Sequence, residues 1–152
     1  MRSVAHPSHG QKWWKPKPPG NECDGLAISS EGAVVSIEVK PADVSGVLWA
    51  PLQAIHYSNL MKHWIDETDG ASDVLLGMYQ QRLDLGLVRD PGFTPDLALP
   101  LSTKAVVAIG GDLKPVWRDR LRQAADRLSS EGHDLDCRRV NLVGRMDPLD
   151  LG

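Results

Sequence analysis

The sequence predicts a mixed α/β domain in which a central sheet is flanked by helices. Two short apolar segments lie on either side of a polar turn near the start of the chain, which indicates a pair of strands. In the rest of the chain, segments with helical spacing of apolar residues are followed by two further strand-like segments. The resulting order, strand–strand–helix–helix–strand–helix–strand, is typical of a sheet with helices packed against it.

Residues 1–21 are predicted to form an irregular N-terminal arm, and residues 22–152 a single domain. Proline blocks helix interiors, and the prolines of the arm leave no room for a sizeable helix after Gln11. The arm also carries Trp13 and Trp14 among lysines. Such a pair suits stacking on bases, or it pins the arm to its own domain or to a partner. The helix-breaking residues of the arm are Pro7, Pro16, Pro18, Pro19, Gly10 and Gly20.

The first two strands are predicted over residues 22–28 and 34–40. Their link is short and polar, so an antiparallel hairpin is the natural pairing. Alternate residues of a strand share a face. One face of the second strand is purely apolar and is predicted to point into the core. Its residues are Val35, Ile37 and Val39.

The remaining elements follow from apolar spacing and from helix-breaking residues. Pro51 fits the first turn of a helix over residues 50–65. A second helix over residues 72–88 would be capped by Ser72 or Asp73. The elements predicted after it are a loop over residues 91–103, a strand over residues 104–111, a helix over residues 115–130 and a final strand over residues 137–146.

Composition limits the class of protein. With 152 residues, 41% of them hydrophobic, the chain can form one well-buried domain. It has neither an apolar run of the roughly 18 residues that span a bilayer nor a signal-peptide pattern, which predicts a cytoplasmic protein with no membrane partner. The formal net charge of −3 predicts weak or partner-assisted DNA binding, because Lys and Arg contacts to phosphate drive that affinity.

Two acids and a lysine on the predicted hairpin indicate a metal-dependent nuclease site. Hydrolysis of a phosphodiester needs charge neutralisation and an activated water, and a divalent metal supplies both. Magnesium usually takes only one or two protein carboxylates. Glu38 and Lys40 lie together on the polar side of the second strand, and a suitable register would bring Asp24 beside Glu38.

This pattern resembles the active-site hairpin of the PD-(D/E)XK nuclease superfamily, whose fold is restriction-endonuclease-like. The resemblance rests on Asp24, thirteen intervening residues and then Glu38-Val39-Lys40. It implies that Asp24, Glu38 and the backbone carbonyl of Val39 bind Mg²⁺ or Mn²⁺. It also implies that Lys40 assists the attacking water.

Gln53 and Tyr57 on the next helix add a second part of the resemblance. Their spacing is similar to the Q-x-x-x-Y motif of the RecB-like branch of the superfamily. The resemblance implies that both side chains line the catalytic site. Glu22 is a candidate supporting acid on the same strand face as Asp24.

The chain departs from the family at several points. Cys23 stands where the family name has a proline. The family core normally opens with a helix, for which the arm leaves no room. That helix is therefore lost, supplied by a homodimer or another protein partner, or carried on a longer polypeptide. With only two cysteines, the chain cannot hold the four-thiolate iron–sulfur cluster that some RecB-like members bind.

The leading prediction is a Mg²⁺- or Mn²⁺-dependent nuclease, a phosphodiesterase that cleaves DNA. One alternative keeps the fold as a non-catalytic module for nucleic-acid binding or for assembly of a larger complex. Another is an unrelated α/β protein in which the Glu38 and Lys40 pattern is coincidental. In that last case Asp24 and Glu38 would point apart into solvent, whereas in a nuclease they would lie close together.

Overall fold

The computed structural model of the chain describes residues 22–43, 45–88, 101–141 and 145–149. The predicted arm, residues 1–21, and most of the predicted loop lie outside these residues. The strands are β1 (Gly25–Ile28), β2 (Val34–Pro41), β3 (Thr103–Gly110), β4 (Leu135–Val140) and β5 (Met146–Pro148). The helices are α1 (Ala50–Glu67), α2 (Ala71–Asp84) and α3 (Pro115–Ser130), with a 3-10 turn over Ser45–Leu48.

The strands form one mixed sheet in the order β1-β2-β3-β4-β5. The hairpin of β1 and β2 is antiparallel, as predicted, but β1 begins at Gly25 rather than at residue 22, so Glu22 and Asp24 precede the strand. Strands β2, β3 and β4 run parallel, with α1 and α2 between the first two and α3 between the last two. A mixed α/β architecture with helices against a central sheet is therefore confirmed.

The last part of the sheet corrects the predicted final strand. Residues 137–146 were expected to form one strand, but β4 ends at Val140 and β5 returns antiparallel to it. Asn141 accepts a hydrogen bond from the Arg145 backbone on its side-chain oxygen, at 2.9 Å. An asparagine at this position favours a turn because its side chain replaces a backbone acceptor.

The main core lies between the sheet and helices α1 and α3. Both parallel connections step in the same direction across the sheet, so right-handed crossovers place their helices on the same face. Side chains from β3 and both helices meet there in one apolar cluster. Its buried members include Ala50, Ala54 and Ile55 of α1, Leu121 and Leu128 of α3, and Ala105, Val107 and Ile109 of β3.

A second, smaller cluster attaches α2 to the start of β2. Val34 packs there with Ile65 near the end of α1 and with Leu75 of α2. Val34 thus meets the far end of α1, which runs back along the sheet from the carboxyl end of β2. This antiparallel course brings the first turns of α1 beside the last residues of β2.

The more deeply buried face of β2 is not the predicted one. Ser36 and Glu38 are 1% and 2% exposed, whereas on the predicted face Val35 is buried, Ile37 is half-buried and Val39 is 45% exposed. The reason is the pairing with β3, in which Glu38 lies beside Val107. Neighbouring residues of paired strands point to the same side, and Val107 points towards the helices. The face with the polar residues is therefore the face that α1 covers.

Helix α2 also differs from its prediction at both ends. Its N-cap is Gly70, at φ 74°, and neither Ser72 nor Asp73 caps it. The helix ends at Asp84 rather than at Val88. Gly86 has φ 65°, and its N–H donates to the Leu83 carbonyl while the Leu87 N–H donates to Arg82, both at 2.9 Å. This is the Schellman arrangement, which needs a left-handed residue that glycine supplies best.

The other predicted helices agree more closely with the structure. Helix α3 spans the predicted residues, and α1 begins at Ala50 with Pro51 in its first turn and runs to Glu67. No helix among the described residues combines the length and the hydropathy that crossing a bilayer requires.

Leu121→Ala should lower the free energy of unfolding by about 2–5 kcal/mol, because it leaves a cavity in the main core. The Leu121 side chain is fully buried between α3 and the sheet. Urea denaturation followed by circular dichroism measures the change. Val116→Ala, on the same helix at a position that is 52% exposed, should change it by less than about 0.5 kcal/mol. Equal effects would contradict this packing.

Candidate active site

Asp24, Glu38 and Lys40 lie together near the carboxyl end of β2. The hairpin register pairs Gly25 with Ile37, so its continuation by one residue sets Asp24 opposite Glu38. The Lys40 ammonium contacts Glu38 directly and lies 3.9 Å from Asp24 Oδ2. The two acids therefore share one cation, and they do not point apart into solvent.

Glu38 is the buried centre of this group. Its Oε1 accepts a hydrogen bond from Lys40 Nζ, while its buried Oε2 has no hydrogen-bond partner. Burial of a carboxylate is costly unless the charge is paired and its oxygens are hydrogen-bonded. One oxygen of Glu38 thus meets that requirement, and the other is an acceptor to which the described residues give no donor.

Asp24 is more exposed and closes the open edge of β2. Its Oδ2 accepts a hydrogen bond from the Val39 backbone N–H at 2.8 Å. The N–H and C=O of a strand residue point to the same side, so the Val39 carbonyl points to this same edge, beyond the last residue of β1 that pairs. The main chain of Val39 therefore faces the acids even though its side chain is exposed.

Tyr57 lies on α1 beside the acids. It is 9% exposed, and burial raises the pKa of its hydroxyl above 10.0, helped by the negative charges of Glu38 and, more weakly, of Asp24. A hydrogen bond with the Glu22 backbone acts on the pKa in the opposite direction. The hydroxyl therefore keeps its proton at neutral pH and can donate it in a hydrogen bond.

The two remaining candidates have smaller parts in the geometry. Gln53 is half-buried, one helical turn before Tyr57 and nearer the start of α1. Glu22, the candidate supporting acid, is exposed, and it is its main chain that reaches Tyr57.

The donor set fits a hard divalent cation. No group of three or more His, Cys, Asp or Glu residues that could hold a metal occurs among the described residues. Magnesium and manganese accept carboxylate, carbonyl and water oxygens, and magnesium often takes only one or two carboxylates. Asp24, Glu38 and the Val39 carbonyl meet that description.

The sequence interpretation gave no role to Ser36 or to Cys23. Ser36 is two residues before Glu38 on the same buried face of β2. Cys23 precedes Asp24, and its thiol donates to the Gly25 carbonyl at 3.0 Å. The strand alternation that grouped Glu38 with Lys40 also includes Ser36, and this was the signal for it.

Comparison of the chain with protein-family models, with characterised proteins and with solved structures gave no match.

Lys40→Met should lower the free energy of unfolding by about 3–5 kcal/mol, because it leaves the buried Glu38 carboxylate unpaired. The double variant Glu38→Gln/Lys40→Met should be more stable than Lys40→Met alone, since the second change removes that charge. A double-mutant cycle from urea denaturation gives the coupling energy. The control is Lys62→Met, which breaks the exposed pair with Asp66 and should cost at most about 1 kcal/mol. Equal costs for Lys40→Met and Lys62→Met would contradict the burial of the pair.

Tyr57→Phe should reduce the loss of stability at alkaline pH. Above pH 10 the unfolded chain releases the tyrosine proton while the folded protein, with its raised pKa, retains it. The wild-type free energy of unfolding therefore falls as pH rises above 10. Burial raises the pKa of Cys137 to about 11, and this thiol adds a similar pH dependence to the unfolding free energies of the wild type and of Tyr57→Phe. The unfolding free energies of the wild type and of Tyr57→Phe at pH 9 and pH 11 test this. If the unfolding free energy of Tyr57→Phe falls with pH as steeply as that of the wild type, the raised pKa of Tyr57 is refuted.

Proposed function

We propose that the protein is a Mg²⁺- or Mn²⁺-dependent nuclease of the PD-(D/E)XK type that hydrolyses phosphodiester bonds in DNA. The observation that supports this best is the buried Glu38, with one oxygen on Lys40 and the other without a partner. Asp24 and the Val39 main chain lie at the same edge. In the proposal Asp24, Glu38, Lys40, Gln53 and Tyr57 form the active site.

The energetics of the acid group favour a functional role over a structural one. A buried ion pair contributes little net stability, and an apolar pair of similar volume often does as well. A buried oxygen without a donor adds a further cost. Natural proteins retain such energetically unfavourable groups mainly at functional sites. The group also lies near the carboxyl end of parallel strands, where open α/β sheets bind their ligands.

In this proposal Asp24, Glu38 and the Val39 carbonyl hold the cation. When bound, the cation supplies charge neutralisation at the phosphate and activation of the water. The site must then keep the carboxylates in place, and the Asp24 hydrogen bond to Val39 and the Glu38 contact with Lys40 do so.

Lys40, Tyr57 and Gln53 act on the substrate and the water. The Lys40 ammonium orients the attacking water and offsets charge that builds up on the phosphate. The Tyr57 hydroxyl, which stays protonated at neutral pH, donates a hydrogen bond to a phosphate oxygen. The Gln53 amide supplies a further donor one helical turn away. Preorganised donors of this kind stabilise the charge that develops in the transition state.

A second positively charged side chain, that of Arg139, lies at the same edge of the sheet as Lys40 and supports a nucleic-acid substrate. Lys40 pairs with Ile109, and Ile109 pairs with Arg139, so the three lie side by side on one face of the sheet. Arg139 is close to half exposed, and its partner is the exposed Asp112, at 3.1 Å. An exposed pair of this kind is weak, so Arg139 is available to contact a neighbouring phosphate of the same strand.

One observation favours the alternative of a non-catalytic nuclease-fold module. Lys40 contacts the oxygen of Glu38 directly, and a permanent ion pair of this kind would compete with a cation for the carboxylate. The module would then use the same fold for nucleic-acid binding or assembly without hydrolysis. Metal binding separates the two proposals.

Asp24→Asn should greatly reduce metal-dependent cleavage with little change in fold. The side chain is 40% exposed, and the amide oxygen can still accept the Val39 hydrogen bond. Cleavage of single- and double-stranded DNA with Mg²⁺ or Mn²⁺ should fall by at least about 100-fold, because even changes to the residues behind a metal ligand cost about 10–100-fold. Calorimetry with Mn²⁺ should show weaker binding.

The matched control is Asp66→Asn, which changes another half-exposed aspartate that pairs with a lysine. It should cut DNA and bind Mn²⁺ as the wild type does. A wild type that neither cuts DNA nor binds Mn²⁺ would overturn the nuclease proposal in favour of the non-catalytic module.

A further inference from the structure

An apolar cavity of about 210 Å³ lies next to the acids, between the β1–β2 hairpin and α1. One wall is the face of α1 formed by Tyr57, Leu60, Met61 and Trp64, which follow at helical intervals of three and four residues. Ser36 lies on the β2 side. Its small side chain leaves space where a larger one would fill the gap under the helix.

The cavity shares Tyr57 with the proposed active site. Tyr57 lines it and is also the helix residue whose hydroxyl feels the charges of Glu38 and Asp24. Ser36 is two residues before Glu38 on the same face of β2. A molecule with its charged group at the acids would therefore have its adjoining part at this cavity.

The lining selects a flat, apolar group of limited size. Trp64 and Tyr57 supply aromatic rings, and Met61 supplies a polarisable thioether that contacts rings favourably. The volume exceeds the roughly 150 Å³ of an apolar cavity that takes up benzene. It is below the roughly 300–1,000 Å³ of pockets for drug-sized ligands. One aromatic base fits this range, and a base pair does not.

The mouth of the cavity is open to solvent. Leu26 and Leu60 line it and are 45% and 50% exposed. Exposed leucines on both sides of an aromatic-lined cavity give an entering ring an apolar path.

We propose that this cavity binds one unpaired nucleobase of the substrate, next to the phosphate held at the acids. The proposal rests on the nuclease function above and adds to it a base-binding subsite made by α1 and the hairpin. A base can enter only when it is unpaired, so the subsite favours single strands, frayed ends or flipped nucleotides.

Base binding can be measured without catalysis through the methionine methyl groups. The chain has four methionines, of which Met61 lines the cavity, while Met78 and Met146 lie elsewhere and are close to half exposed. With ¹³C-methyl methionine and Mg²⁺ present, titration with deoxyadenosine monophosphate should shift the Met61 signal saturably through the ring current of the base. Met78 and Met146 should stay unchanged. Deoxyribose 5-phosphate, which lacks the base, should leave Met61 unshifted.

Variants of the lining test whether the shift reports the cavity. Trp64→Leu should weaken nucleotide binding by about 5- to 150-fold, the usual effect of losing one base–aromatic contact. Leu60→Ala should weaken it less, and Leu52→Ala should leave it unchanged. Leu52 is the matched control, because it is a leucine of the same helix with 48% exposure and does not line the cavity.

The outcomes separate this proposal from the nuclease function. Metal-dependent cleavage with no Met61 response to the nucleotide would overturn the base subsite alone. An equal Met61 response to benzene and to the nucleotide would also overturn it, since the cavity would then be a general apolar site. An abasic substrate, which lacks one base next to the cut, gives a further test. The proposal is supported if the wild type cleaves this substrate more slowly than the intact one while Trp64→Leu cleaves both equally.

Discussion

The parallel pairing of β2 with β3 is the constraint on which the rest of the described structure depends. It runs in continuous register from Val34 opposite Thr103 to Pro41 opposite Gly110. A parallel pair requires a crossover, and α1 is the main element of that crossover. The register also sets which side of β2 lies under α1. Glu38 is buried because it pairs with Val107, which belongs to the main core.

This constraint produces the conflict at the centre of the site. A carboxylate lies in a layer whose other buried members are apolar residues and serines, and a purely stabilising sequence would not need a charge there. Lys40, two residues further along the same face, neutralises one oxygen. Asp24 is brought close because the hairpin continues the same sheet on its other side. Glu38 is thus placed by strand register, and Asp24, in the residue just before β1, is held at the same edge by its hydrogen bond from the Val39 N–H.

Local patterns in the sequence were sufficient for most elements of the fold. The β1–β2 hairpin, α1, β3 and α3 follow from turns, proline positions and apolar spacing. The prediction of the buried face of β2 was wrong because both faces of the strand can be covered. The alternation of residues in one strand does not indicate which face the helix will cover. That choice depends on a partner strand more than sixty residues away in the sequence. The division of residues 137–146 into two strands likewise depends on turn chemistry at Asn141, which the apolar pattern concealed.

The proximity of Asp24, Glu38 and Lys40 was predictable to the same extent as the hairpin. Strand alternation grouped Glu38 with Lys40, and extension of the antiparallel register by one residue set Asp24 opposite Glu38, so this proximity needed only local information. The burial of Glu38 and its unpartnered oxygen were not predictable, because they require the position of α1.

Helix α1 connects the acid group to the apolar cavity. The residues at positions 53, 57, 61 and 64 lie on nearby parts of one helix face, and they change from polar to apolar along the chain. The polar end of this face meets the carboxyl end of β2, and the apolar end meets its earlier part, since the helix and strand run in opposite directions. A nucleotide has the same division, with a charged phosphate at one end and a flat base at the other. The antiparallel packing of α1 on β2 therefore fixes the direction in which a nucleotide would lie in the proposed site, with its phosphate at Glu38 and its base towards Trp64.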